Sequence, residues 1–81
     1  MTIRVVAFAR IREVLNDGHR TLQLADGSRV GDAWDALVTR VPELAHLESS
    51  TRLARNGRLV EVGEPLADGD ELTLLPPVGG G

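Results

Sequence analysis

The chain has 81 residues, of which 42% are apolar, and a formal net charge of −3, a size and composition that predict one globular domain. It contains no cysteine and no lysine, which excludes disulfides, thiolate metal sites, a cysteine nucleophile and a lysine Schiff base. The acidic balance and the scarcity of aromatic residues argue against a nucleic-acid partner. The sequence shows no signal peptide and no apolar run of membrane length, so we expect a cytoplasmic protein without a membrane partner.

The N-terminal part of the chain alternates short apolar runs with turn signals. Residues 3–8 are β-branched and aromatic and predict a buried strand. Residues 9–15 place three apolar side chains on one side of a helical turn, which the Asn-Asp-Gly run at 16–18 ends. Residues 21–24 alternate apolar and polar side chains and predict a second strand, which the turn residues at 26–27 end.

The strongest periodic signal follows these strands. Six apolar residues recur at helical spacing and lie within about 140° of arc, because successive residues of a helix advance by about 100°. They predict an amphipathic helix of about three turns, with Trp34 and Leu37 in the core, Ser28 as its cap and Pro42 as its end. The six residues are Val30, Ala33, Trp34, Leu37, Val38 and Val41.

The C-terminal half predicts turns and strands. Residues 44–50 predict a loop, either without helix or with a short helical turn. The Asn-Gly pair at 56–57 lies between two apolar runs and predicts a two-residue hairpin, because both turn positions need positive φ. Residues 68–70 predict another turn, and residues 71–75 predict the last strand, which Pro76 and Pro77 end.

This order of elements predicts an α+β domain over residues 1–75. One main amphipathic helix would pack on one face of a mixed sheet of four to five strands. The β-grasp is the common small fold with this order. Residues 76–81 would then form an extended, flexible C-terminal tail.

No constellation of side chains in the sequence predicts catalysis. His19 and His46 lie in different predicted elements with no carboxylate at ligand spacing, so we expect no metal site. The serine and threonine residues lack the setting of a nucleophile elbow, and no phosphate-binding or dinucleotide-binding loop is present. The sequence therefore predicts no bound cofactor.

The tail has a stiff base and a thin tip. Pro76 and Pro77 fix φ near −65°, and the three glycines that end the chain have no Cβ. Residues 76–81 can extend by roughly 20 Å, which suits a probe that enters a narrow channel and presents the carboxylate of Gly81. That carboxylate needs activation, for instance as an acyl-adenylate, before it reacts with sulfur. A frayed and passive end is the alternative.

Three blocks of the sequence resemble the small subunit of molybdopterin synthase, a ubiquitin-like sulfur-carrier family. They are residues 8–13 after the first strand, the Asn-Gly hairpin at 56–57, and residues 68–81. The first block separates this family from the thiamine-pathway sulfur carrier, which lacks the arginine-rich turn. Gly79 departs from the family, which often has alanine, serine or threonine there.

The resemblance implies a sequence of reactions at the tail. An ATP-dependent activating enzyme would adenylate the carboxylate of Gly81, with Gly80 beside it, and a sulfur donor would convert the adenylate to a thiocarboxylate. The large subunit of a heterotetrameric molybdopterin synthase would supply the catalytic side chains. Sulfur would pass to a cyclic pterin precursor and form the molybdopterin dithiolene of the molybdenum cofactor.

Two docking surfaces are also expected. Apolar residues and the tail would bind the large subunit, and part of an acidic stretch would meet a basic surface of the activating enzyme. Burial in the core and a solvated turn are the respective alternatives. The first set is Phe8, Leu59, Leu75, Pro76, Pro77, Val78 and Gly79, and the second set is Asp68, Asp70 and Glu71.

Three other functions remain open from the sequence. The chain could carry sulfur for thiamine or cysteine biosynthesis, or it could be a ubiquitin-like modifier that forms isopeptide bonds to other proteins. A β-grasp interaction module with a passive tail is the third alternative.

Overall fold

A computed structural model gives the fold, and it describes residues 1–77. Five strands, two α-helices and one 3₁₀ helix follow one another along this part of the chain. Their bounds are β1 Thr2–Ala7, α1 Ala9–Leu15, β2 His19–Gln23, α2 Val30–Arg40, the 3₁₀ helix Pro42–Ser50, β3 Arg52–Arg55, β4 Arg58–Val60 and β5 Glu71–Leu75.

The five strands form one mixed sheet in the order β2-β1-β5-β3-β4. The central strand β5 is parallel to its neighbour β1, and the other neighbouring pairs are antiparallel. The first and last strands of the domain therefore run in the same direction at the centre of the sheet. The helix α2 packs on one face, so the α+β β-grasp architecture predicted from the sequence is confirmed.

Side chains along the central strands alternate between a buried face and an open face. Ile3, Val5, Leu72 and Leu74 point towards the helices, and each is at most 1% exposed. This alternation leaves the intervening residues of β1 and β5 on the opposite face of the sheet. We call that opposite face the open face.

The helix α2 presents the predicted apolar stripe to the sheet. Leu37 is 0% exposed and Trp34 is 4% exposed, which confirms both as core residues. The indole Nε1 of Trp34 donates a hydrogen bond of 3.0 Å to Oε1 of Glu48, so burial leaves this polar atom with a partner. The helix ends at Arg40, two residues before Pro42, as predicted.

Two predictions about the surroundings of α2 are wrong. The hydroxyl of Ser28 donates to the carbonyl of Ala25 (2.7 Å) instead of capping the helix, and Asp32 Oδ2 accepts from the backbone N–H of Arg29 (2.7 Å). The predicted loop at 44–50 belongs to a 3₁₀ helix over Pro42–Ser50. Proline suits the first turn of a helix because its missing N–H has no intrahelical partner there.

The hairpin between β3 and β4 follows the prediction from Asn56 and Gly57. Both residues have positive φ, 49° and 86°, and the flanking residues Arg55 and Arg58 are cross-strand partners. Within residues 1–77, no helix combines the length and the apolar character that crossing a membrane requires.

Candidate functional site

The register of the sheet brings a row of small and apolar side chains together on the open face. Val6 is opposite Thr73, Thr73 is opposite Ala54, and Ala54 is opposite Leu59. Residues that are directly opposite in neighbouring strands point to the same face. The row therefore crosses four strands, from β1 to the edge strand β4.

A second row lies next to it, towards the C-terminal end of β5. Leu75 is two residues after Thr73 and shares its face, and its partner on β3 is Arg52. Phe8 is two residues after Val6 and keeps an extended backbone, with φ −130° and ψ 163°. The six residues Val6, Phe8, Ala54, Leu59, Thr73 and Leu75 are called the open-face patch.

The open-face patch contains exposed apolar surface. Phe8 is 47% exposed and Leu59 is 51% exposed, whereas most large apolar residues of the chain are buried or half-buried. Leu75 is half-buried on the same face. The structure thus brings together the three apolar residues that the sequence analysis assigned to a partner, and it does not place them in the core beneath α2. Their role in binding remains a prediction.

The tail leaves the domain at the same end of the sheet as Phe8. Because β1 and β5 are parallel, the residues that follow each strand lie at the same end of the sheet. Pro76 and Pro77 follow β5 and are exposed. The predicted tail residues Val78, Gly79, Gly80 and Gly81 lie outside the described residues, and their roles remain predictions. The end of the sheet that carries Phe8 and Pro76 is called the tail-exit end.

The acidic residues predicted to meet an activating enzyme lie at the other end of β5. Asp68 is exposed, and its Oδ1 accepts from the backbone N–H of Thr2 at 2.7 Å. Glu71 is half-buried, and its carboxylate is 3.8 Å from the guanidinium of Arg4. Asp70 is only 7% exposed. Docking through this set remains a prediction, but little of the carboxylate of Asp70 is accessible to a partner.

Asp70 is instead at the centre of an internal network. Its Oδ2 accepts from Nε of Arg55 (2.6 Å) and from the backbone N–H of Ala67 (2.8 Å), and its Oδ1 accepts from Nδ2 of Asn56 (2.9 Å). Glu64 Oε2 accepts from Arg55 Nη1 at 3.1 Å. The four residues Arg55, Asn56, Glu64 and Asp70 are called the hairpin clamp, because they join the β3–β4 turn to the loop before β5.

The clamp shifts the pKa of Asp70 and the pKa of Arg55. Burial raises the pKa of Asp70, but hydrogen bonds from Arg55, the Ala67 amide and Asn56 together lower it by more, so the pKa lies below its ordinary 3.8. The same hydrogen bonds to Asp70 and Glu64 raise the pKa of Arg55. Both groups therefore stay ionised at neutral pH. Local sequence patterns do not predict this pairing, because Arg55 and Asp70 are 15 residues apart.

A shallow groove lies beside the edge strand β4. Its volume is about 290 Å³, and it runs between the 3₁₀ helix and the end of β4. Trp34, Glu48, Leu53 and Val60 are among the residues that line it. Across residues 1–77, no three His, Asp or Glu side chains come together in a way that could hold a metal ion.

Comparison with known proteins identifies the family of this chain. A model of the ThiS family matches residues 5–81. The chain belongs to the ThiS family. This confirms, at the level of the family, the resemblance to small sulfur carriers that the sequence blocks indicated.

The relatives of this ThiS-family chain are known under two kinds of name. It is 34% identical to the molybdopterin synthase sulfur carrier subunit of Chlamydomonas reinhardtii, over all of both chains. It is 43% identical to small archaeal modifier protein 1 of Haloferax volcanii, over 91% of this chain and 94% of that protein. A crystal structure of SAMP1 from the same organism superposes with a TM-score of 0.88 at 34% identity and covers both chains completely.

Proposed function

We propose that the chain is the sulfur carrier subunit of a molybdopterin synthase. The observation that carries this proposal is the open-face patch, whose exposed Phe8 lies at the tail-exit end of the sheet. An apolar surface continuous with the base of a thin tail suits a protein that docks on a partner and delivers its C-terminus into that partner. The relative from Chlamydomonas reinhardtii, which carries this name, matches over the full chain.

The chemistry we assign to the tail takes place at the carboxylate of Gly81. The carboxylate attacks the α-phosphate of ATP on the activating enzyme and forms an acyl-adenylate, with release of pyrophosphate. A sulfide equivalent from a donor then displaces AMP and leaves a thiocarboxylate. The chain has no cysteine, so the sulfur is carried on the terminal carbonyl carbon and not on a side-chain thiol.

The work is divided between this chain and its partners. The domain supplies the docking surface and the reach of the tail, roughly 20 Å over residues 76–81. The large subunit supplies the catalytic side chains that move sulfur to the cyclic pterin precursor, and the two kinds of subunit assemble as a heterotetramer in the cytoplasm. Glycine at 80 and 81 lets the tail pass through a narrow channel, because a Cβ at either position would make the tail wider.

The experiment that tests this proposal measures the intact mass of the chain. The chain is incubated with its activating enzyme, ATP and a sulfur donor, and we expect a gain equal to the difference between sulfur and oxygen. The thiocarboxylated chain is then mixed with the large subunit and the cyclic pterin precursor, and molybdopterin is measured. Deletion of Gly81 moves the carboxylate back by about 3.5 Å and should abolish product formation.

A matched control distinguishes loss of the carboxylate position from loss of a glycine. Gly63→Ala changes a loop glycine around which a new Cβ meets no atom within 4 Å, so this variant should gain sulfur and form product normally. Normal turnover by the Gly81 deletion would contradict the proposal and favour an interaction module with a passive tail. Sulfur gain without product would favour a carrier for thiamine or cysteine biosynthesis.

A second candidate function is protein modification. The 43% identity to small archaeal modifier protein 1 of Haloferax volcanii favours it. In this function the activated Gly81 would form isopeptide bonds with lysines of other proteins, whereas the chain has no lysine of its own to accept one. A tagged chain expressed in cells would then give a ladder of conjugates on a denaturing gel, and the ladder would disappear on deletion of Gly81. A single unconjugated band would count against this function.

A further inference from the structure

The edge strand β4 carries the outermost residue of the open-face patch. This strand has three residues, and its neighbour in the sheet is β3 alone among the described strands. Leu59 is half exposed, and its cross-strand partner is the small residue Ala54. Lateral packing against Ala54 gives little restraint to a leucine, so the position of Leu59 depends on how firmly the rest of the hairpin is held.

The hairpin is held at its turn by the clamp. Asn56 makes two hydrogen bonds to the backbone of Glu71. Its N–H donates to the Glu71 carbonyl, and its side-chain Oδ1 accepts from the Glu71 N–H, both at 2.9 Å. Asn56 Nδ2 donates in the other direction, to Asp70 Oδ1. Beyond the turn, Arg58 donates to Glu64 Oε2 at 3.0 Å. The residue that follows Arg58 is Leu59.

We propose that Asp70 and Asn56 are positioning residues for docking: they hold the hairpin turn against β5, and the turn holds Leu59 in the open-face patch. This inference rests on the proposed function, in which the open-face patch binds the large subunit. It assigns to Asp70 an internal role that differs from contact with an activating enzyme.

The hydrogen bonds in the clamp have a defined polarity. The carboxylate of Asp70 only accepts, and the amide of Asn56 accepts from Glu71 and donates to Asp70. In Asp70→Asn, the oxygen of the new amide can stay with Arg55 and Ala67, but its NH₂ group then faces the NH₂ group of Asn56. Rotation of the Asn56 amide does not help, because its NH₂ would then face the N–H of Glu71. One donor in the clamp is left without an acceptor in either case.

Exchange of the two residues restores the polarity. In the double variant Asn56→Asp/Asp70→Asn, the amide at 70 donates to the carboxylate at 56, which also accepts from the N–H of Glu71. The bonds from Arg55 and Ala67 keep an oxygen acceptor. Position 56 has a φ of 49°, and aspartate is one of the residues that tolerate this left-handed conformation. The exchanged pair should therefore hold the turn as the native pair does.

The experiment is a double-mutant cycle on binding of the full chain to the large subunit, measured by titration calorimetry at neutral pH. Asp70→Asn should raise the Kd on the order of tenfold, and the exchanged double variant should recover most of that loss. In a Leu59→Ala background, Asp70→Asn should change the Kd by less than about twofold, since the contact it would disturb is already absent. Circular dichroism checks that each variant is folded under the conditions of the titration. A variant that is less stable but still fully folded would bind with the native Kd, so a raised Kd then reports on the binding surface.

The outcomes separate this inference from the proposed function. If Leu59→Ala binds as tightly as the native chain, Leu59 is not part of the docking contact and the positioning role is wrong, whereas docking through Phe8 is tested separately by Phe8→Ser and the proposed function by product formation. If Leu59→Ala weakens binding but Asp70→Asn weakens it further by the same factor in both backgrounds, the positioning role is wrong and docking stands. Failure of the exchanged pair to recover binding also contradicts the positioning role.

Discussion

The two ends of β5 differ in what their side chains do. At its start, Asp70 is buried and satisfies three donors from Arg55, Asn56 and Ala67. At its end, Leu75 is half-buried beside an exposed Phe8, and the chain continues into Pro76. One end of the strand is closed by internal polar contacts, and the other leaves apolar surface without a cover.

This difference indicates how a small domain can serve as a carrier. A chain of about this length buries only about 60% of its unfolded surface, so it has little stability to lose. Apolar surface left exposed for a partner does not contribute to that stability. Buried polar contacts close the clamp end, and apolar surface at the tail-exit end is left available for docking.

The largest effect on stability should come from the core that both ends share. Leu37 is fully buried at the centre of the stripe of α2, so Leu37→Ala should lower the free energy of unfolding by about 2–5 kcal/mol. Chemical denaturation at neutral pH measures the change. Val38→Ala, at a half-buried position of the same helix, is the control and should cost less. Equal costs would show that Leu37 is not at the centre of the packed face.

The tail should show the opposite behaviour. Gly80→Leu places a bulky side chain next to the reacting carboxylate, and a misplacement of about 1 Å can reduce a rate roughly 100-fold. Molybdopterin formation should fall by about this factor while the melting temperature stays that of the native chain. The assay is product formation from the thiocarboxylated chain and the large subunit. Full activity of Gly80→Leu would contradict the proposed entry of the tail into a narrow channel.

The local parts of this fold could be predicted from the sequence. Helix α2 has six apolar residues at helical spacing, and the Asn56-Gly57 turn needs no information beyond the neighbouring residues. The predicted cap of α2 is wrong because the hydroxyl of Ser28 donates to the Ala25 carbonyl, and the side chain of Asp32, inside the first turn, accepts from the N–H of Arg29. Local sequence does not decide between these two arrangements. The 3₁₀ helix was missed because its apolar residues follow no strong period.

The clamp and the open-face patch could not be derived from local patterns. Arg55 and Asp70 meet because β3 lies beside β5, and a strand order of this kind is decided by the packing of the whole sheet. The acidic stretch at 61–71 contains no basic residue in sequence. In the fold, the guanidinium of Arg55 donates to Glu64 and Asp70 of this stretch. Phe8 and Leu59 were grouped by resemblance to a family, and the register of four strands gives that grouping its physical basis.

Docking should depend on where an exposed apolar residue lies and not on exposure alone. Phe8→Ser removes apolar surface at the tail-exit end and should raise the Kd for the large subunit on the order of tenfold. Val62→Ser is the matched control, since Val62 is 59% exposed but lies in the loop after β4, outside the open-face patch. It should leave the Kd unchanged. Equal losses for both variants would contradict a defined docking surface.

Stability at the clamp end should depend on pH in one direction. The pKa of Asp70 is lower in the folded chain than its ordinary 3.8, so the ionised carboxylate stabilises the fold above that pH. This contribution is lost as the pH falls below it and Asp70 takes up a proton. The difference in unfolding free energy between the native chain and Asp70→Asn should therefore be largest at neutral pH and should shrink in acid.

The control for this pH dependence is an exposed carboxylate. Asp35→Asn changes an exposed aspartate on α2 and should give only a small difference from the native chain. Denaturant titrations at several pH values measure both differences. The difference in unfolding free energy between the native chain and Asp70→Asn could instead stay constant or increase in acid. That result would show that the hydrogen bonds of the clamp do not depend on the ionised carboxylate.

The smallest effect should come from the exposed charge at the clamp end. Glu71 pairs with Arg4 at 3.8 Å, and their side chains are 39% and 63% exposed, so Glu71→Gln should change stability by less than about 1 kcal/mol. If Glu71 guides the encounter with the activating enzyme, adenylation by this variant should be about two- to threefold slower at low salt and near the native rate at high salt, because salt screens exposed charges. Glu13→Gln makes the same change of charge in α1, after the tail-exit end of β1, where Glu13 pairs with Arg10 at 3.4 Å. If both variants slow adenylation equally at low salt, the effect comes from net charge, and the clamp end has no particular role in meeting the enzyme.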